Sequence, residues 1–201
     1  MSQRPTPYWP SFHGAKQQSQ PSSQVHPKQT LDQAMRYIAH YPEQMRTRVH
    51  DMIEAQTLHD HLLQRYPVPH EINSSKLLRV YTNQIKSQYL RSSDRLSKIC
   101  FDEKLHLIHH ALGTQSFISL AHGGRLKSRR ELRISSLFKR CPEPLLRMIV
   151  VHELAHLKER EHNEAFYRLC IHMEARYHQL EFDARLYLIH KELFGSIYSQ
   201  G

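Results

Sequence analysis

The sequence predicts an α+β protein, a small antiparallel sheet packed on one strongly apolar helix and on the helices after it, with an N-terminal helical extension. Three observations carry this expectation. Apolar residues recur at helical spacing from Leu31 to about Leu90. Between Lys98 and Ser135 the pattern shortens to strand-like runs, punctuated by Asp102-Glu103-Lys104, Gly113 and Gly123-Gly124. After Pro142 and Pro144 the helical period returns and holds to about residue 194. Helices, then strands, then helices is the order of an α+β domain.

Taken along the chain, residues 1–30 hold six Gln, five Ser and five of the ten prolines, with no Leu or Ile. Such a segment buries too little apolar area to offset its ordering entropy, so it is expected to be a disordered leader. Residues 31–70 read as a helical extension, with Leu31, Met35 and Ile38 on a first helix. Pro42 opens a second, carrying Met45, Val49, Met52, Ile53 and Leu62, which Pro67 and Pro69 end. Residues 71–201 form the main domain. A helix over Ser74–Leu90 leads into a hairpin of Lys98–Phe101 with Leu105–Ile108. Strands at Ser116–Leu120 and Glu131–Ser135 follow, then helices at about 145–158, 164–178 and 182–194.

Composition excludes several classes. No run approaches the roughly 20 apolar residues of a membrane-spanning helix, and the first residues lack the apolar core of a signal peptide. Three widely spaced cysteines without a CxxC argue against a disulfide framework and for a reducing, cytoplasmic setting. Lys+Arg 28 against Asp+Glu 19 gives a formal net charge of +9. Seventeen histidines are the outstanding number, and their placement decides what they mean.

His152-Glu153-Leu154-Ala155-His156 is an HExxH. On a helix, residues four apart share a face, so both imidazoles can reach one metal ion. Glu153 lies about 100° round the axis and can address a water instead. In so histidine-rich a chain the bare pattern is a weak signal. Its setting strengthens it: Leu145, Leu146, Met148, Ile149, Val150 and Val151 precede it, and polar groups on so apolar a helix are costly unless paired or metal-bound. His162 offers a third ligand only if the helix ends, since six further helical residues turn it about 240° away. Lys158-Glu159-Arg160-Glu161 can leave the core there, and Asn163 can cap a new helix bearing Phe166, Leu169, Cys170, Met173 and Tyr177. Glu174, on the expected helix with His172 and His178, is the alternative third ligand. Tyr167, Tyr177 and His178 could stabilise an oxyanion in a transition state, but they are read as packing or surface residues.

HELAHLKEREHN at His152–Asn163, with Phe166 after it and Glu131-Leu132-Arg133-Ile134 before it, resembles the YgjP-like metallopeptidase domain, a relative of the SprT and WLM-type zincins. The resemblance covers about residues 74–194 and is specific over about 131–170. It implies a zincin-like fold, zinc bound by His152, His156 and His162, and Glu153 as general base. A zinc-dependent peptidase acting on a peptide or protein is the leading expectation. Its rivals are a metal-dependent phosphohydrolase with a phosphate-bearing substrate, and a non-enzymatic module that zinc merely staples. Arg125, Lys127, Arg129, Arg130, Arg133, Lys139 and Arg140 stand between His122 and Cys141 against Glu131 alone. This basic stretch, Arg125–Arg140, is expected either to lie along the cleft, where a substrate backbone adds to its edge or where it makes weak phosphate or nucleic-acid contacts, or to be a solvated charged edge that blunts aggregation.

Overall fold

Prolines and capping side chains mark where most of the helices start. The computed structural model describes residues 27–105, 113–122 and 125–198, with residues 27–30, 113–122 and 125–129 described by backbone alone. The expected leader therefore lies outside the described residues over 1–26, and helix α1 (Pro27–Met35) starts inside its last four positions. Pro42 precedes α2 (Glu43–Glu54) and Pro142 precedes α5 (Glu143–Ala155), each fixing φ at a position whose N–H no helix needs. Ser74 caps α4 (Ser75–Tyr89) by accepting from the Leu77 N–H, and Asn163 caps α6 (Glu164–Met173) by accepting from the Phe166 N–H.

The second expected helix is in fact two. After α2 the chain turns, and α3 (Leu58–Arg65) begins afresh. Gln56 sits at φ 56°. The Thr57 N–H bonds to the Met52 carbonyl at 2.9 Å and the Gln56 N–H to the Ile53 carbonyl at 3.1 Å. That is a Schellman ending with glutamine in the left-handed position usually held by glycine, so the sequence lacked its usual stop signal. Gln56→Gly relieves the left-handed strain at some cost in unfolded-state entropy. It is expected to stabilise the protein by about 0.5 kcal/mol in urea unfolding.

The sheet corrects the antiparallel expectation. β1 (Leu96–Asp102), β2 (Gly113–His122) and β3 (Arg125–Ser135) lie in the order β1-β3-β2. β2 and β3 form the expected antiparallel pair, Gly113 opposite Ile134 and His122 opposite Arg125. β1, however, runs parallel to β3, Ile99 beside Leu132 and Asp102 beside Ser135. The sheet is mixed. Strand-like runs close in sequence suggest a hairpin, but which edge β1 joins is decided by burial. Ile99, Leu132 and Ile134 are all buried and sit side by side across the β1–β3 pair. The proposed partner strand Leu105–Ile108 lies outside the described residues beyond Leu105, as does the Gly123-Gly124 turn.

Described residues divide into two compact units. One, Arg65–Ala184, holds the sheet, α4, α5, α6 and the first half of α7 (Tyr177–Phe194). Its centre is α5, ten of whose 13 residues are buried. Arg147 is an exception: it leaves the apolar surroundings to bind Glu174 at 2.8 Å and the Met173 carbonyl at 3.0 Å. Tyr66 and Arg65 hold the buried Asp183 at 2.5 and 2.9 Å. The other unit joins the residues up to Gln64 with those from Arg185 on. There Arg185 donates to the Tyr37 carbonyl at 2.9 Å, and His59 and His190 meet ring to ring at 3.2 Å. No helix among the described residues is long and apolar enough to cross a membrane.

Candidate metal centre

His152 is on the buried interior of α5, and His156 follows at its C-cap. The Leu157 N–H turns back to the Leu154 carbonyl and the Lys158 and Glu159 N–H groups to that of Ala155, which ends the helix. The charged residues 158–161 then carry the chain outward, and Asn163 starts α6. His162, just before that cap, is thereby returned to the pair on α5. Nε2 of His156 and Nε2 of His162 each lie 3.3 Å from Nε2 of His152. One ligand atom from each of the three rings lies within 4.8 Å of the others.

The outer nitrogens of His156 and His152 are held as well. His156 Nδ1 donates to the Glu159 carbonyl at 3.0 Å, which leaves a lone pair on the inward Nε2. His152 Nδ1 lies 2.6 Å from the Tyr177 hydroxyl. Phe166, fully buried, packs its ring against all three imidazoles, with centroids 5.0, 4.6 and 4.7 Å from those of His152, His156 and His162. Burial pushes His156 below the usual imidazole range. It pushes His162 down to about 4, with the neighbouring His156 adding to the effect. These two rings are therefore neutral near pH 7. Converging neutral imidazoles with anchored outer nitrogens are the donor set of a divalent transition-metal site. This fits zinc better than magnesium or calcium, which take oxygen ligands.

Glu153 is buried, and desolvation raises its carboxyl to about 8. Near neutral pH it is ionised only when positive charge stands nearby. The alternative ligand Glu174 is placed elsewhere. α6 ends at Met173 rather than near 178, and the Glu174 carboxylate takes Arg147 at 2.8 Å and the Arg176 N–H at 3.2 Å. His172 and His178 are exposed. A second group, His50, Asp51 and Glu54, lies at the surface of α2. Sequence reasoning set Tyr177 aside as packing or surface and missed Glu181. Both are buried on the first turns of α7, and a carboxylate within an apolar helical stripe was the available signal.

Two of the described arginines of the basic stretch are committed. Arg130 pairs with Asp94 at 2.7 Å and donates to the Leu157 carbonyl, while Arg133 joins Asp102 and Glu131, each at 2.8 Å. β3 is also the central strand. Over Arg130–Ser135 both its edges are paired, so the expected free edge does not exist there. The side chains of Arg125, Lys127 and Arg129 lie outside the described residues.

Against known families, the model of the YgjP-like metallopeptidase domain matches residues 13–181. The chain belongs to the YgjP-like family. Membership places it among metal-dependent hydrolases and implies a divalent metal. This YgjP-like protein is also 50% identical over 152 residues to the UTP pyrophosphatase of Escherichia coli (strain K12), an alignment spanning 76% of the chain and 91% of that relative. No solved structure matches it significantly.

Proposed function

We propose that this protein is a zinc-dependent nucleotide pyrophosphohydrolase that cleaves UTP, or a close relative of it, into the nucleoside monophosphate and pyrophosphate. The observation that carries the hydrolytic reading is the convergence of His152, His156 and His162 beside the buried Glu153. The substrate is suggested by the relative named UTP pyrophosphatase, which the chain matches at 50% identity over nearly all of that protein's length.

Zinc held by the three imidazoles would supply Lewis-acid charge at the reacting phosphate. Glu153 would do the proton work. As a carboxylate it takes a proton from the attacking water, whose oxygen forms the new bond to phosphorus. The bridging P–O bond breaks, and pyrophosphate leaves with its electron pair. Phe166 and the apolar face of α5 keep the three rings fixed and exclude competing water.

A second reading keeps the same residues. The family's description as a metallopeptidase domain and the HExxH itself favour a peptidase, with Glu153 passing the water's proton to a leaving amine. The pairing of β3 on both sides over Arg130–Ser135 weighs against it, because a peptide docking by strand addition needs an open edge there.

The two part in one experiment. Zinc-loaded protein is incubated with UTP and, separately, with casein. We expect pyrophosphate release from UTP that a chelator abolishes and added zinc restores, with casein intact. Casein cleavage with UTP unchanged would overturn the nucleotide reading in favour of the peptidase.

A further inference from the structure

Of the bonds to the outer nitrogens of His152 and His156, the one from His152 to Tyr177 is made by a side chain at long range. His156 is anchored by the main-chain carbonyl of Glu159, three residues on. His152 reaches 25 residues ahead to a tyrosine on α7, at 2.6 Å. His152 is also the hub of the cluster, since both other Nε2 atoms lie 3.3 Å from its own. An imidazole whose Nδ1 carries the proton presents a bare Nε2, and one whose Nε2 carries it presents no lone pair to a metal.

We propose that Tyr177 is the positioning residue of the centre: its hydroxyl oxygen accepts the His152 Nδ1–H and fixes the tautomer and tilt that aim Nε2 at the metal. The inference rests on the three histidines being the ligands. Tyr177 is fully buried, and its ring lies nearly parallel to that of His152, at 12° with centroids 6.3 Å apart. The hydroxyl cannot swing away to solvent. The buried Cys170 thiol and the buried Glu181 carboxylate are its neighbours there. Tyr177 acts through His152, without touching substrate.

The test compares Tyr177→Phe with Tyr81→Phe. Each removes one hydroxyl and keeps the ring, but Tyr81 bonds to Glu143 on the first turn of α5, away from the imidazoles. Zinc affinity is measured by competition with a chromophoric chelator. The visible spectrum of the cobalt-substituted protein reports ligand geometry, and thermal unfolding of the metal-free protein reports structural loss. Tyr177→Phe is expected to weaken zinc binding about 10–100-fold and shift the cobalt bands. Tyr81→Phe is expected to lower the unfolding midpoint with neither effect. Wild-type zinc affinity and an unchanged cobalt spectrum in Tyr177→Phe would overturn the proposal. Failure of the wild-type protein itself to bind zinc would instead sink the ligand assignment beneath it.

Discussion

Glu153→Gln is expected to lower turnover by about 10²–10⁴-fold while leaving metal content unchanged and making the metal-free protein more stable. Both effects follow from one placement. The carboxyl is enclosed in apolar surroundings that raise it from 4.5 to about 8. Between those values the folded protein holds a proton that the unfolded chain has released. By linkage, stability contributed at this position falls as pH rises through that window. Glutamine keeps the shape and cannot ionise. In urea titrations of the metal-free protein, wild type should lose stability from pH 5 to 8 more steeply than the variant. At pH 8 the variant should be ahead by on the order of 1 kcal/mol, after allowing for the buried amide. Full activity in Glu153→Gln would remove the general base from the mechanism. Identical pH slopes would show that the carboxyl is solvated after all.

His162→Ala is expected to lose zinc on dialysis, with a drop in affinity well beyond the roughly 10–100-fold that an outer partner costs. It removes one of the three proposed donors, whereas His172→Ala and Glu174→Gln should keep a full equivalent. His172 is exposed, and Glu174 is already committed to Arg147 at 2.8 Å. Metal analysis of the purified proteins reads all three. Stoichiometric zinc in His162→Ala would show that two imidazoles on α5 suffice or that another group completes the set.

The convergence of the three imidazoles was legible in the sequence because each part of it is a local matter. HExxH at helical spacing fixes two rings on one face, and a charged run followed by Asn163 announces a helix end and a new start. Those short-range rules placed His162. What escaped was long-range or unmarked. Nothing within Leu96–Asp102 says that it will lie beside β3 in parallel, since strand order is settled by how Ile99, Leu132 and Ile134 bury together. Gln56 hid a helix end because glutamine gives no warning of a left-handed conformation. Tyr177 looked like one more apolar residue until α7 brought its hydroxyl to His152. Glu174 seemed to ride a continuous helix, yet α6 stops at Met173 and Arg147 claims it.

The depth of α5 has a further consequence. A helix enclosed on nearly every side tolerates little substitution, so its two histidines and its glutamate are mounted on an almost immutable chassis. If the three histidines hold the proposed ion, a change of substrate would fall to the surrounding strands and connections, and one mount would serve amide or phosphoanhydride chemistry by exchanging the rim around it.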